Sequence, residues 1–204
     1  GTFSVTGLDG LTYHTDTFSL QTYSGSDWST VATATPLADF RAVQLLSRGY
    51  SLDFGPRARA VMNRVTWNRM MGNTNAADLG GKKNVGLASI TSLADTNRIL
   101  TEDGLPTVEI FDGGYLNDAG TFVPFIADDK VVVVGARTDG GRIGEYRMTR
   151  NANNPNLAPG AYMEVVDRGA AGSGQQIPRT IEVHDGHNGG PVIYFPSAVV
   201  IMSV

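Results

Sequence analysis

"VVVVGARTDGGRIGEY", residues 131–146, is the stretch on which the fold turns. Four valines in a row before a glycine read as a buried strand. Gly135 and Gly140 then stand at the spacing that opens a phosphate-binding loop. The full motif continues with Lys and Ser or Thr, because the ammonium reaches the phosphates and the hydroxyl holds magnesium. Gly141 and Arg142 fill those places instead. Ile143, Glu145, Tyr146 and Met148 follow in strand-like alternation, so no helix N-terminus awaits an anion. The stretch reads as a strand, a hairpin loop around "TDGG" and a second strand.

Working outward, the C-terminal half is a run of strands: "KVVVVGA", "IGEYRMT", "AYMEVVD", "RTIEVHD", "PVIYF" and "AVVIMSV". "TVEIFD" is expected to pair with "TFVPFI" across Asn117–Gly120. The N-terminal half carries the helices. "TPLADFRAVQLLSRG" (35–49) is the clearest, with Thr35 as cap, Pro36 at the first helical position and Gly49 as the stop. Leu37, Phe40, Val43 and Leu46 supply its buried stripe. "ARAVMN" (58–63) reads as a strand, "TWNRMM" (66–71) as a short helix, "NTNAADLGGKKNVG" (73–86) as a loop. "TSLADTNRIL" (91–100) is a further helix, capped by Ser92 or Thr91. Helices early and a meandering, mostly antiparallel sheet later make an α+β fold, without internal repeats. Residues 1–34 are rich in Thr, Ser and Gly, with Phe3, Tyr13, Phe18, Tyr23 and Trp28 scattered through them. They read as an extended arm whose rings need a neighbour to cover them.

Composition narrows the function. The 204 residues, 41% hydrophobic and 18% charged, suit one substantial globular domain. A chain of this size buries roughly 70% of its unfolded surface and needs no covalent staples. Cysteine is absent, which excludes disulfides, thiolate metal sites and cysteine nucleophiles. No stretch approaches the roughly 20 apolar residues of a membrane-spanning helix. The opening "GTFSVTGLDG" lacks a basic region followed by an apolar one, so no signal peptide is expected. A start at Gly1 suggests a processed or trimmed chain. The net charge of −4 argues against a dedicated nucleic-acid binder. Of 16 basic residues only Lys82, Lys83 and Lys130 are lysines. Arginine's planar, weakly hydrated fork suits partly dried protein contacts.

The candidate chemistry lies in "EVHDGHNGGPVIYFP" (182–196). A mononuclear metal site wants ligands that converge on one point. His184 and Asp185 are adjacent and leave a strand on opposite faces, while His187 follows Gly186 in what reads as a turn. His14 is far away in sequence. The simpler reading is a tight "DGHNGG" turn joining two strands. A metal-dependent enzyme using His184, Asp185 and His187 stands as the alternative. No Gly-x-Ser-x-Gly is present, and Asp128–Asp129 before Lys130 read as a solvated loop. Arg142, Arg147 and Arg150, beside Tyr146, read as subunit-contact residues. Arg147 and Arg150 fall on opposite faces of a continuous strand, so they make no single basic stripe.

Two long segments, "GARTDGGRIGEYRMTRNANNPNLAPGAYMEVVDRG" (135–169) and "PRTIEVHDGHNGGPVIYFPSAVVIM" (178–202), resemble the major capsid proteins of tailed phages, of the lambda type. "SDWSTVATATPLADFRAVQLL" and "ARAVMNRVTWNRMM" look like that family's long helix and the strand–helix unit after it. The likeness spans roughly residues 27–204 and rests on a collinear pattern, with no catalytic motif. It implies an HK97-like α+β fold: a peripheral domain with a spine helix at 36–48, and an axial domain with a mixed, mostly antiparallel sheet. By this likeness residues 1–34 are the remnant of an inter-subunit arm. Residues 35–106 hold the spine helix and the start of both domains, and 107–204 a β-rich axial domain returning to the peripheral one.

The implied function is structural, that of a phage or prophage head protein without catalysis or cofactor. Its copies would form pentamers and hexamers of an icosahedral shell around DNA held only non-specifically. Scaffold, portal or decoration proteins are the implied partners, no membrane is involved, and assembly takes place in the host bacterial cytoplasm. Arg142, Arg147 and Arg150 would be interface arginines, and the loop 154–160, with Asn154, Pro155 and Pro159, would lie near a symmetry axis. Another virion component, a decoration or tail tube protein, is the second alternative.

Overall fold

The computed structural model describes residues 2–6, 12–17, 19–30, 32–72, 92–148, 159–167 and 181–204. They form two compact units, Gly1–Ile143 with Phe195–Val204, and Gly144–Tyr194. The units part at Ile143 and Tyr194.

The first unit opens with β1 (Thr2–Thr6), β2 (Thr12–Thr17), β3 (Gln21–Ser24), α1 (Pro36–Leu45), β4 (Leu52–Asp53) and β5 (Arg59–Met62). It continues through α2 (Arg64–Gly72), α3 (Leu93–Glu102), β6 (Thr107–Ile110), β7 (Gly114–Leu116), β8 (Phe122–Pro124), β9 (Lys130–Val134) and β10 (Ala136–Arg137). The second unit holds β11 (Gly144–Met148), β12 (Gly160–Asp167) and β13 (Ile181–Ile193). The chain then returns to the first unit as β14 (Val199–Ser203).

The first unit is organised by a five-stranded sheet in the order β3-β14-β9-β5-β6. The valine run forms its middle strand, as its composition demands. Val131 and Val133 are fully buried, whereas Val132 and Val134 are half-buried on the other face. Register places Val108, Ala60, Val133 and Val200 in one row across the sheet. Phe40 and Val43 of α1, Trp67 and Met70 of α2 and Leu100 of α3 belong to the same core cluster. Each such apolar side chain contributes about 1.5–3 kcal/mol on burial. In this sheet β3 runs parallel to β14 and β5 parallel to β6, while the two inner pairings are antiparallel. Every other pairing among the described strands is antiparallel, so the sheets are mixed and mostly antiparallel. The pairing expected between "TVEIFD" and "TFVPFI" does not form. β7 pairs with β8 around the Asn117–Gly120 turn, while β6 joins β5. A parallel partner buries Val108, which a short hairpin could not do.

Local chemistry sets the helix ends. Ser92 Oγ accepts from the Asp95 N–H at 3.1 Å and donates to its carboxylate, as a cap should. Asn63 caps α2 by accepting from the Thr66 N–H at 2.9 Å, which starts that helix at Arg64, before the expected Thr66. Thr35 precedes α1 but makes no side-chain cap. Ser26 Oγ instead accepts from the Thr35 N–H at 2.9 Å. α1 ends at Leu45, not at residue 48, because three-residue turns take over: Leu46 N–H bonds to Val43 and Ser47 N–H to Gln44. Gly49, with φ +88°, lies in the turn that follows. α1 is thus a ten-residue helix, shorter than the expected spine.

Trp28, one of the rings expected to wait for a neighbour, is buried by its own chain. It lies edge-on to Phe40 at 5.9 Å and donates from Nε1 to Asp39 at 2.8 Å. Asp39 also accepts from the Ser26 N–H at 3.2 Å and from Ser26 Oγ at 2.6 Å. A side chain on Gly25 would start 2.9 Å from the Asp39 carboxyl carbon. At the opposite end of the sheet, the Asn97 amide grips β6: its Nδ2 donates to the Val108 carbonyl at 2.9 Å and its Oδ1 accepts from the Val108 N–H at 2.7 Å. An asparagine side chain thus takes the place of a sixth strand at this residue.

Two stability measurements test these junctions. Asp39→Ala strands the Ser26 and Trp28 donors at about 1–3 kcal/mol each, so urea unfolding should show a loss of about 3 kcal/mol. Trp28→Phe, which deletes one donor and keeps a ring, should cost about 1 kcal/mol. Asn97→Ala should cost about 1–3 kcal/mol and leave β6 an open edge, read as concentration-dependent association in sedimentation.

Candidate functional site

The second unit is an extended antiparallel ribbon. β11 pairs with Gly189–Ile193 of β13, and β12 pairs with Ile181–Asn188, so the two shorter strands take consecutive stretches of the long one. The "DGHNGG" segment is therefore not a turn between two strands but the middle of one strand of 13 residues. Its glycines serve close packing. A Cβ on Gly189 would lie 2.9 Å from the Tyr146 ring and 3.2 Å from the His187 ring, which meet over it. Tyr146 Oη and His187 Nδ1 are 3.2 Å apart.

Strand alternation separates the histidine cluster. His187 and Asp185 share one face of β13, and His184 leaves from the other, where its Nε2 is 3.2 Å from Glu182. All three are exposed. Among the described residues no group of three or more His, Cys, Asp or Glu side chains converges as a metal-ion set.

Arg142 is exposed near the end of the first unit, and Arg147 lies on β11 of the second. Arg147 Nε donates to Glu145 at 2.7 Å, and one of its amino groups donates to Tyr194 Oη at 2.6 Å. Tyr194 in turn donates to Glu145 at 2.6 Å. The bonds to Glu145, and then to Tyr194, hold the Arg147 guanidinium above its ordinary value. Glu145 pushes the Tyr194 phenol up. Pro159 is exposed just before Gly160, which opens β12 with φ +98°. Arg150, Asn154 and Pro155 lie outside the described residues. The phosphate-loop reading gains nothing. Asp139 accepts from the Gly141 N–H at 2.9 Å and from Arg137, closing a tight turn, and β10 before it pairs with β4, not with β11.

What sequence reading passed over is apolar. Met163 and Val165 of β12, with Ile181 and Val183 of β13, are each more than half exposed. The signal was the alternation in "IEVH" and "AYMEVV", which puts apolar residues on one face. A second group is aromatic: Phe125 stacks on Phe111 at 6.4 Å and meets Tyr115 at 5.9 Å, all three exposed.

This geometry can now be set beside known proteins. No family model matches the chain, and no curated protein matches it. Solved structures do. One is a prophage protein of E. coli CFT073 described as a "putative capsid protein", with a TM-score of 0.53 at 14% identity over 89% of this chain and 52% of that one. Another is a phage-related protein from Bordetella bronchiseptica RB50, with a TM-score of 0.48 at 12% identity over 90% and 56%. A third is a virus-like particle from Pyrococcus furiosus, with a TM-score of 0.42 at 12% identity over 90% and 56%. The chain thus spans about half the length of the structures it matches, and what it shares with the E. coli prophage protein is a capsid-like α+β fold.

Proposed function

We propose that this chain is the shell-forming part of a phage or prophage major capsid protein, a structural subunit that associates with its own copies and performs no catalysis. One observation carries the reading: the likeness in fold to the E. coli prophage protein, which extends over 89% of the chain. The HK97-like identity of that fold, the closure into an icosahedral shell and the pentamers and hexamers within it belong to this proposal. So do a place in the virion after assembly in the bacterial cytoplasm, and scaffold, portal or decoration partners.

The surface chemistry agrees. The two histidines that sequence reading offered for catalysis are engaged in local pairs on an exposed ribbon, His184 with Glu182 and His187 with Tyr146, and the interface candidate Arg147 pairs with Glu145. All three pairs are open to water, whereas a substrate site buries most of its ligand. A net charge of −4 suits a container for DNA, since many phosphate contacts would grip the packaged polymer in a salt-dependent way.

Electron microscopy of the concentrated protein, joined to sedimentation, tests the proposal. Rings of five and six copies or closed polyhedral particles are expected, with no stoichiometric metal. Open tubes would overturn it. A monomer carrying one metal ion that His187→Ala removes would overturn it too.

A further inference from the structure

The ribbon of the second unit is two-faced. In an antiparallel pair, directly opposed residues point to the same side. Val165 stands opposite Val183, and Asp167 opposite Ile181, which places Ile181, Val183 and Val165 on one face with Met163. Tyr146 and Met148 stand opposite Pro191 and Gly189, two-residue steps along the same face of β13. The contact between Tyr146 and His187 joins the β11 end of this face to the middle of β13. Its reverse carries Glu145, Arg147, Glu182 and His184, whose polar groups pair within the ribbon.

Six apolar side chains, Tyr146, Met148, Met163, Val165, Ile181 and Val183, are between 54% and 70% exposed. At roughly 100 Å² apiece they present about 600 Å², near the ~800 Å² that each partner brings to a stable protein contact. Single exposed apolar residues are ordinary, but a contiguous patch of this size marks an interaction surface. A ribbon two strands wide is also marginal in water unless something packs on it.

We infer that the apolar face of this ribbon is covered by a second copy of the same chain. The occupant follows from the chemistry of the face. Asp185 stands in its middle, opposite Met163, where a lipid surface would have to desolvate a carboxylate and a protein partner can supply a donor. Nucleic acid is disfavoured, because among the described residues the face offers no lysine or arginine. A second copy is the partner that a shell subunit always meets at high local concentration, and in this the inference rests on the proposed function.

The absence of cysteine makes the test clean, since Met163→Cys and Val183→Cys each introduce a single thiol. Thr138→Cys, at an exposed turn of the first unit, is the control. Maleimide labelling rates are compared in monomer and associated species separated by sedimentation. The ribbon thiols should react at the control rate in the monomer and about tenfold or more slowly once associated. Val183→Asp should weaken association at least about tenfold while leaving the unfolding midpoint of the monomer nearly unchanged. Protection within a dimer that builds no shell would support the inference and count against the shell. Closed particles whose ribbon thiols react at the control rate would overturn it and leave the shell reading standing. Protection already present in the monomer would overturn it, because the chain would then cover itself. Protection that appears only with phosphatidylcholine vesicles, or a chain that stays monomeric at every concentration, would overturn it as well.

Discussion

The Asp39 carboxylate is the point on which the first unit depends. A buried acid costs several kcal/mol unless donors surround it, and here Ser26 and Trp28 provide them. That requirement fixes the path of the chain between β3 and α1: Gly25 must lack a side chain, Ser26 must point inward, and Trp28 must lie against Phe40. Ser26 also accepts from Thr35, so one small cluster sets both the exit of β3 and the entry of α1. Burial, and then Asp39 itself, push the nearby Tyr23 phenol up, another sign of how little water reaches this corner.

The cluster matters beyond its own residues because of the strand order. β3 is held to the sheet only by β14, made of Val199–Ser203 at the end of the chain, and β14 is held by β9. The segment that Asp39 organises is therefore joined to the sheet through the last strand of the chain. The sheet depends on contacts between residues about as far apart in sequence as this chain allows, a topology that folds slowly and late. At the other end Asn97, only eleven residues from Val108, closes β6 through a local contact. One end of the sheet is secured locally and the other by chain closure.

Much of this was legible in the sequence, and the exceptions have physical causes. Four valines in a row announce a central strand because no other common element needs apolar residues on both sides of the backbone. Ser92, three residues before Asp95, announces its helix for the same local reason. "DGHNGG" reads as a turn because its residue types favour turns when nothing else acts on them. In the folded chain the segment is overruled by cross-strand pairing with Gly160–Met163 and with Arg147–Met148, and the glycines make room for rings. Trp28 misled in the opposite sense. A polar, Thr-rich neighbourhood suggests an arm, and its pairing with an aspartate eleven residues on follows from no periodicity. Of the expected site residues, Arg147, His184 and His187 could be located but not assigned a job by type alone, since each is satisfied by a neighbour that strand pleating supplies.

The distribution of polar and apolar groups on the ribbon decides which reading is the more economical. Bond-making sites gather polar groups whose environments push their properties apart, in a place that water leaves. On the ribbon the polar groups lie in the open and pair with one another, while the side chains left without protein cover are Met163, Val165, Ile181 and Val183. Left uncovered, that arrangement invites unwanted association. A subunit that must recognise its own copies gains a contact whose strength comes from area and whose register comes from Asp185 and His187, set among the apolar residues of one face. The strand alternation that puts His184 and His187 on opposite faces is the same alternation that gathers the apolar residues on one side.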